Sequence, residues 1–499
     1  MVNGTEYPPV LTSQQESELL FALKDWALTH GLVIRSSSAN ASAEQTESSA
    51  LATPVPLTLF PSPYPKSLLQ HARSIQPLFN DLYVKIADDL PFLDAITANL
   101  AKVDTFSKDL YRIYKEVEAE GGPGQDLSLG IFRSDYLLHS NNHDDDDNDD
   151  GSGSVSLRQV ELNTIAASFM GLSSRASDLH RFLHAAGYYP EGNILSRDAD
   201  LPENPAARQI ARGLGLAAQA YGVKESIVLF IVQPGERNAF DQRWLEYHLL
   251  NDFKIRVARA SLDDAFSRAT VDPETKVLRY DGDEVSVVYY RSGYSPDDYP
   301  TPNSWQARKK LELSKAIKSP SLATQFAGAK KVQQVLVDDS VLSNYVDGES
   351  KTLISDTFTE ILPLDNSDKG QRARELIATR PQDFVLKPQR EGGGNNVYKE
   401  KIPEFLKSLG DEELWKGYIL MELIKPPSDA QNSIVRAGEV KSAQVISELG
   451  IYGIVLWDSK THQVKQNFEA GWLVRTKFAD SEEGGVAAGF GSIDSLVLV

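Results

Sequence analysis

The chain has 499 residues, of which 24% are charged and 41% hydrophobic, and its formal net charge is −19. This length accommodates two or three packed domains, and the acidic balance argues against a nucleic-acid partner. Because the sequence contains no cysteine, disulfides, thiolate metal sites and cysteine nucleophiles are excluded. No signal-peptide pattern begins the sequence, and no apolar run approaches the ~20 residues of a membrane span. We therefore expect a cytoplasmic protein that contacts neither membranes nor nucleic acid.

Helical patterns dominate residues 1–221. Ser13-Gln-Gln-Glu16 resembles a capping box and is followed by apolar residues at helical spacing, with Gly31 available to end the helix. Residues 66–120 carry further helical patterns. The low-complexity segment 139–156, with its acidic insert at 143–150, predicts a loop or hairpin insertion.

One stretch in this region, Gly213-Leu-Gly-Leu-Ala-Ala218, matches the dinucleotide-binding fingerprint in its letters. That fingerprint requires a preceding strand. Here the stretch lies inside an amphipathic helical pattern, so we predict a helix with no role in nucleotide binding.

The pattern changes near residue 225. A continuous apolar run at 227–232, a helical stretch at 240–250, alternating apolar residues at 253–257 and a further strand at 285–290 give a βαβ rhythm. This rhythm predicts a compact α/β domain at 222–328, between a mostly helical part at 1–221 and a third part at 329–499. Strands are expected at 383–387, 418–422 and 445–456 in the third part.

A strand near residue 160 carries the first candidate ligands. Glu161 and Asn163 are two residues apart, so they project from the same face of a strand. A carboxylate with an amide oxygen suits Mg²⁺. The alternative interpretation is a solvent-facing strand edge.

The stretch KPQREGGGNNVY (387–398) is the second candidate. Lys387 ends a strand pattern, and the three glycines expose backbone N–H groups that can approach phosphate. Glu391 could reach a metal that bridges those phosphates. The alternative is an ordinary turn.

Two later stretches fit a nucleotide site less distinctly. Residues 421–424 could hold an adenine between apolar side chains, or form a plain core strand. Arg475 and Lys477 share one strand face, and the small residues at 484–489 that follow could form a second mobile lid or an ordinary loop.

Polar clusters end two strands of the predicted α/β domain. Glu236, Asn238 and Gln242 follow one strand, and Arg291 and Tyr294 follow another. Ligands bind at the carboxyl ends of strands in open α/β sheets, and arginine suits a carboxylate ligand. Surface ion pairs are the alternative.

Seven collinear stretches together resemble the eukaryotic-type glutathione synthetase family of the ATP-grasp superfamily. They are VELNTIAASFMGLSSR (160–175), ERNAFDQR (236–243), VVYYRSGY (287–294), ATQFAGAKKVQQ (323–334), FVLKPQREGGGNNVY (384–398), ISELGIYG (446–453) and LVRTK with GGVAAG (473–489). The resemblance implies an α/β protein of the ATP-grasp fold, with an inserted α/β substrate-binding domain and glycine- and alanine-rich lid loops. It also implies a homodimer that joins γ-glutamylcysteine to glycine through an acyl phosphate, using ATP and two Mg²⁺ ions and releasing ADP and phosphate.

The resemblance further implies roles for individual residues. Those expected to ligate Mg²⁺ are Glu161, Asn163 and Glu391. Those expected to bind ATP are Glu161, Lys330, Lys387, Glu391, Gly392, Gly393, Gly394, Asn395, Asn396, Tyr398, Met421, Glu422, Leu423, Ile424, Glu448, Lys477 and Glu483. Those expected to bind the dipeptide or glycine are Arg133, Ile165, Ala166, Ala167, Ser168, Glu236, Arg237, Asn238, Gln242, Arg291, Ser292, Gly293, Tyr294, Arg475, Val486 and Ala487. Those expected to act in catalysis are Arg133, Lys330, Lys387 and Arg475.

The sequence departs from the family pattern at two of these positions. Ala166 stands where a serine is frequent, and Glu483 stands where an aspartate is usual. Two other functions remain open: a homoglutathione-type ligase that uses β-alanine, and an inactive sensor of nucleotide or thiol peptide. No histidine lies in the seven stretches, and the sequence does not identify a general base.

Overall fold

The computed structural model describes residues 7–36, 42–141, 155–190, 194–482, 485–486 and 490–499. The chain has a mixed α/β fold. Its helices are α1 (Ser13–Thr29), α2 (Ala43–Ser48), α3 (Lys66–Asp88), α4 (Leu90–Leu100), α5 (Thr105–Ala119), α6 (Met170–Ala185), α7 (Ala206–Tyr221), α8 (Ala239–His248), α9 (Leu262–Arg268), α10 (Pro302–Glu312), α11 (Leu322–Ala327), α12 (Lys330–Leu336), α13 (Asp339–Leu342), α14 (Gly348–Ser355), α15 (Asp368–Thr379) and α16 (Lys401–Ser408). Within the described ranges, no helix is long and apolar enough to cross a bilayer.

The strands come mainly from the middle and the C-terminal part of the chain. They are β1 (Val33–Arg35), β2 (Ala52–Pro54), β3 (Leu57–Thr58), β4 (Ser62–Tyr64), β5 (Leu127–Ser140), β6 (Val155–Asn163), β7 (Ile227–Ile231), β8 (Val257–Ala260), β9 (Ala269–Val271), β10 (Leu278–Tyr280), β11 (Asp283–Tyr290), β12 (Ile317–Ser319), β13 (Ile361–Pro363), β14 (Phe384–Pro388), β15 (Val397–Tyr398), β16 (Tyr418–Glu422), β17 (Gln431–Arg436), β18 (Glu439–Asp458), β19 (Gln463–Phe478), β20 (Gly491–Asp494) and β21 (Leu496–Leu498).

A large sheet forms the centre of the molecule. Strands β8, β7, β11, β12 and β5 pair in parallel, and β5 then pairs antiparallel with both β18 and β6. The antiparallel half continues through β19 and β20. The predicted α/β region therefore shares one continuous sheet with the rest of the fold.

Both faces of the large sheet are buried. Along β18, Leu449 and Ile451 belong to one apolar cluster, whereas Tyr452 and Ile454 belong to the other. This assignment follows from strand geometry, because successive side chains point to opposite faces. Helices pack on each face and close the two cores.

A second, four-stranded antiparallel sheet has the order β13-β16-β14-β15. One of its faces packs on α15 and α16 in an apolar cluster that includes Leu386 and Leu420. The opposite face presents Val385 and Met421. This second face is the one that lines the cavity described below.

The structure confirms most predicted elements and corrects two. Helix α1 begins after Thr12, which forms the capping box with Gln15, one residue before the predicted box. The expected strand at 253–257 is wrong: residues Leu249–Phe253 form a π-helical turn, and β8 begins at Val257. The reason is packing, because a Cβ on Gly215 of α7 would lie 2.6 Å from the Phe253 ring, so this ring sits directly against the helix.

The dinucleotide-like stretch lies within α7, as predicted. Its glycines serve helix packing: a Cβ on Gly213 would meet Ile454 at 2.8 Å. The strands on either side of the acidic insert form the predicted hairpin, with Ser140 opposite Val155. The insert 143–150 itself lies outside the described residues.

Candidate active site

A cavity of about 560 Å³ lies between the antiparallel half of the large sheet and the four-stranded sheet. Strands β5, β6, β18 and β19 supply one wall, and β14, β15 and β16 supply the other. The start of α12, the loop at 165–168 and the segment that joins β14 to β15 contribute further lining. Strands of two different sheets therefore enclose one site.

Two carboxylates and one ammonium group meet inside this cavity. The Lys330 Nζ lies 3.0 Å from Glu161 Oε2 and 3.2 Å from both carboxylate oxygens of Glu391. Burial opposes ionisation of Glu161, but Lys330 and Lys387 outweigh it and lower the pKa of that carboxyl. For Glu391, burial and the neighbouring Glu161 outweigh Lys330 and raise its pKa. One buried cation thus lies between two acidic groups.

The same groups could hold a divalent ion. Asn163 donates its amide nitrogen to Asp135 Oδ2 at 3.0 Å and to the Arg133 carbonyl at 3.4 Å, which leaves the amide oxygen for a ligand. Together with Glu161 and Glu391, this amide gives a set of hard oxygen donors that fits Mg²⁺. No cluster of three or more His, Cys, Asp or Glu side chains arranged for a metal occurs among the described residues. Mg²⁺ does not require one, because phosphate oxygens and water complete its shell.

Two arginines lie beside this cluster. Arg133 pairs with Asp135 through Nε at 2.6 Å and Nη2 at 2.7 Å. Arg475 contacts Asp135 Oδ2 at 3.2 Å and also pairs with Glu448. Burial would lower the pKa of both guanidinium groups, but the adjacent carboxylates raise them. Both arginines therefore stay charged on a buried wall.

The opposite wall combines a lysine with apolar side chains. Lys387 of β14 is 4% exposed and donates to the Val160 carbonyl at 2.9 Å. Burial lowers the pKa of this lysine. Val385, Met421 and Leu423 line the same side. This arrangement can accept a flat apolar ring next to an anion.

The glycine segment crosses the cavity edge. Gly392 and Gly394 have φ values of 85° and 92°, a backbone conformation that other residues rarely adopt. The preceding Arg390 forms an ion pair of 2.6 Å with Asp104, which precedes α5. Asn396 donates to the Tyr398 hydroxyl at 3.2 Å. The segment is thus anchored at both ends and shaped by its glycines.

Most of the predicted residues line this one cavity. They are Arg133, Glu161, Asn163, Ile165, Ala166, Ala167, Ser168, Tyr294, Lys330, Lys387, Glu391, Gly392, Gly393, Asn396, Tyr398, Met421, Glu422, Leu423, Ile424, Glu448, Arg475 and Lys477. Gly394 and Asn395 belong to the same segment without lining the cavity. Glu483 and Ala487 lie outside the described residues, and Val486 is buried away from the lining.

The remaining predicted residues form a polar cluster behind the loop at 165–168. Glu236 accepts from the Asn238 backbone at 2.7 Å and from Gln242 Nε2 at 3.1 Å. Arg291 donates to the Ala167 carbonyl at 2.5 Å, so the cluster is joined to the loop. These residues do not line the cavity, nor do Arg237, Ser292 and Gly293. Their contact with a substrate stays a prediction.

Sequence reasoning missed two polar residues near the site, Asp135 and Asp241. Asp135 shares a strand face with Arg133, so its spacing could have revealed it. Asp241 accepts the backbone N–H groups of Phe169 and Gly171 at 2.7 Å each. No local pattern could have revealed this contact, because it caps a helix far away in the sequence.

Comparison with known proteins assigns the family. A model of the eukaryotic glutathione synthase ATP-binding domain matches residues 13–498. The large chain of glutathione synthetase from Schizosaccharomyces pombe is 37% identical, with 98% of each chain covered. The glutathione synthetases of Xenopus laevis and Homo sapiens are each 38% identical, with 95% and 97% of each chain covered, respectively. A solved glutathione synthetase-like effector from Globodera pallida, 23% identical over 98% of each chain, shares the fold with a TM-score of 0.75. The chain belongs to the eukaryotic glutathione synthase family.

Proposed function

We propose that this cavity joins γ-glutamylcysteine to glycine at the expense of ATP, releasing glutathione, ADP and phosphate. The observation that carries the proposal is the convergence of Glu161 and Glu391 on Lys330. Asn163 lines the same cavity, and two charged arginines lie on the neighbouring wall. Family membership supports the same activity. The relatives do not favour the β-alanine ligase or the inactive sensor.

The reaction must bring two anions together. In the first step an oxygen of the cysteinyl carboxylate attacks the γ-phosphorus, the bond to the ADP oxygen breaks, and ADP leaves with the electron pair. Lys330, Lys387 and Lys477 would neutralise the phosphate charge from fixed positions. Arg133 and Arg475 would hold the attacking carboxylate. The chain supplies this positive potential locally, although its net charge is −19.

In the second step the glycine nitrogen attacks the acyl carbon. The carbon–oxygen bond to phosphate breaks, phosphate leaves with the electron pair, and the amine loses a proton to phosphate or water. A tetrahedral oxyanion forms on the way, and Arg133 and Arg475 would stabilise it. Water would hydrolyse the acyl phosphate, so closure of the glycine segment would protect it.

We also propose that Glu161, Asn163 and Glu391 hold Mg²⁺ as two ions with the nucleotide. When bound, Mg²⁺ supplies Lewis-acid neutralisation of the phosphate oxygens. The chain's part is to present three oxygen donors, two from strand β6 and one from the glycine segment.

Several broader features stay proposals that rest on the family resemblance. They are the ATP-grasp architecture, the division at 222 and 329, a homodimer and a cytoplasmic location. The cavity between the four-stranded sheet and the large sheet supports the first. Separation of purified protein by size with light scattering would test the dimer.

A product assay tests the central proposal. The purified chain would be supplied with ATP, Mg²⁺, γ-glutamylcysteine, glycine and β-alanine together, and the products identified by mass spectrometry. Glutathione with matching ADP is expected. Predominant β-alanine product would assign the homoglutathione-type ligase, and bound nucleotide without any product would assign the sensor.

A further inference from the structure

Asp135 is the common hydrogen-bond acceptor of three residues that the proposed reaction uses. Its Oδ1 accepts from Arg133 Nε at 2.6 Å. Its Oδ2 accepts from Arg133 Nη2 at 2.7 Å, Asn163 Nδ2 at 3.0 Å and Arg475 Nη2 at 3.2 Å. The side chain is 1% exposed. Its donors belong to three strands, β5, β6 and β19.

The sheet leaves room for this carboxylate at one position. Asp135 lies opposite Gly450 of β18. A Cβ on Gly450 would lie 2.7 Å from Asp135 Oδ1 and 2.9 Å from Arg133 Cδ. The ion pair therefore lies directly over the glycine, and any side chain at that position would displace it.

The carboxylate fixes the direction of the Asn163 amide. A carboxylate accepts hydrogen bonds and cannot donate them. Rotating the Asn163 amide by half a turn would place its oxygen against Asp135 Oδ2 and against the Arg133 carbonyl oxygen, which the N–H group now satisfies. The amide oxygen is consequently kept for a ligand, and Mg²⁺ binds oxygen rather than an NH₂ group.

The same carboxylate allows two guanidinium groups to be buried near each other. The positive charge of Arg133 opposes that of Arg475, and Asp135 with Glu448 offsets this repulsion. Two of the Arg133 nitrogens are held by Asp135, and Nη1 lies 3.4 Å from the Ser168 carbonyl at the cavity wall. Side-chain freedom at both arginines is thereby reduced before substrate arrives.

We propose that Asp135 is a positioning residue of this ligase, which orients Arg133 and Arg475 toward the reacting carboxylate and the Asn163 oxygen toward the metal. This inference rests on the proposed function. It predicts that loss of the Asp135 charge lowers turnover and metal affinity together, although Asp135 itself does not line the cavity.

The test compares Asp135→Asn with a matched control. The control is Asp88→Asn, which also removes a buried carboxylate: Asp88 is 8% exposed at its side chain and accepts from Trp457 Nε1 at 3.0 Å. Trp457 lies on β18 nine residues beyond Glu448, or ~30 Å along the strand. Turnover would be measured per folded molecule. Mn²⁺ binding in the presence of a non-hydrolysable ATP analogue would be followed by electron paramagnetic resonance, which does not depend on activity.

We expect Asp135→Asn to lower kcat at least ~100-fold, as for loss of an electrostatic stabiliser, and to weaken Mn²⁺ binding ~10-fold or more, as for loss of a residue that orients a ligand. Asp88→Asn should change neither by more than about twofold. Near-normal kcat and Mn²⁺ binding in folded Asp135→Asn would overturn the proposal.

A second variant covers the case in which Asp135→Asn does not fold. Gly450→Ala keeps every charge and presses a methyl group on the ion pair, and it should lower kcat and Mn²⁺ binding in the same direction. Failure of both variants to fold would assign Asp135 to stability and overturn the proposal. If the unmodified chain bound Mn²⁺ and nucleotide but made no glutathione, the proposed function would fail, and the binding measurements would still decide the role of Asp135.

Discussion

The ammonium of Lys330 lies where a metal would be expected, and its removal should make stability depend on Mg²⁺. Lys330→Met leaves Glu161 and Glu391 buried without their shared cation, whose distances are 3.0 and 3.2 Å. Each pair is worth ~5 kcal/mol of Coulomb energy at an effective dielectric constant of about 20. Breaking such a buried pair costs ~3–5 kcal/mol of unfolding free energy, because a charge is left uncompensated.

Mg²⁺ binding should restore part of the unfolding free energy that Lys330→Met loses. A ligand present at 100 times its Kd stabilises the folded state by about 2.7 kcal/mol. In the unmodified chain, Mg²⁺ must compete with Lys330 for the same carboxylates, so its gain should be smaller. Urea unfolding, followed by the fluorescence of the six tryptophans, would compare both chains in EDTA and in Mg²⁺.

Lys318→Met is the matched control for this experiment. Lys318 is also buried, at 2% exposure, and burial lowers its pKa to about 8. Its ammonium donates to the Ser314 carbonyl at 2.9 Å, and no salt bridge to a carboxylate is found for it among the described residues. Lys318→Met should lower the free energy of unfolding only slightly, and this free energy should be the same in EDTA and in Mg²⁺. Equal stability of Lys330→Met and the unmodified chain in EDTA, or no gain from Mg²⁺, would refute the reasoning.

Three further outcomes follow from the geometry. Burial lowers the pKa of His180 to about 3. As the pH falls, the unfolded chain therefore binds this proton first, and the free energy of unfolding should fall by about 1.4 kcal/mol per pH unit below ~6.5. His180→Asn should flatten the slope of unfolding free energy between pH 6 and 4.5, and an unchanged slope would exclude His180 as its source. Gly394→Val should raise the ATP KM ~10-fold or more through backbone strain at φ 92°. The control Gly410→Val, at φ 74° outside the cavity lining, should lower only the stability of the fold. Equal ATP KM values for the two variants would argue against a lid. Gly213→Val should lower the free energy of unfolding by about 1–3 kcal/mol through its clash with Ile454 and leave the ATP KM unchanged. A raised ATP KM would instead indicate that this stretch binds nucleotide.

The sequence predicted the elements with strong local patterns. Strand alternation placed Glu161 and Asn163 on one face, and both line the cavity. The helical periodicity around Gly213 correctly predicted a helix, although the sequence there matches a dinucleotide-binding motif. The apolar alternation at 253–257 predicted a strand that is absent there, because Phe253 packs on Gly215 at the end of a helical turn.

Long-range contacts were beyond the sequence alone. Nothing near Lys330 shows that its ammonium meets Glu161 and Glu391, since these residues come from three distant segments. The role of Asp135 depends on the placement of β6 and β18 on either side of β5, and of β19 beyond β18, which only the folded sheet specifies. The resemblance named most of the cavity residues, but it gave no account of what holds them in place.

The strand order also constrains when this protein can become active during synthesis. Strand β5 pairs with β18 across hundreds of residues, and β21 pairs with β4 near the opposite end of the chain. Ribosomes add ~5–20 residues per second, and contacts between distant segments form slowly. The nascent chain therefore exposes unpaired sheet edges until residues 439–498 have left the ribosome. The topology therefore postpones completion of the central sheet, and of the cavity that it lines, to the end of synthesis.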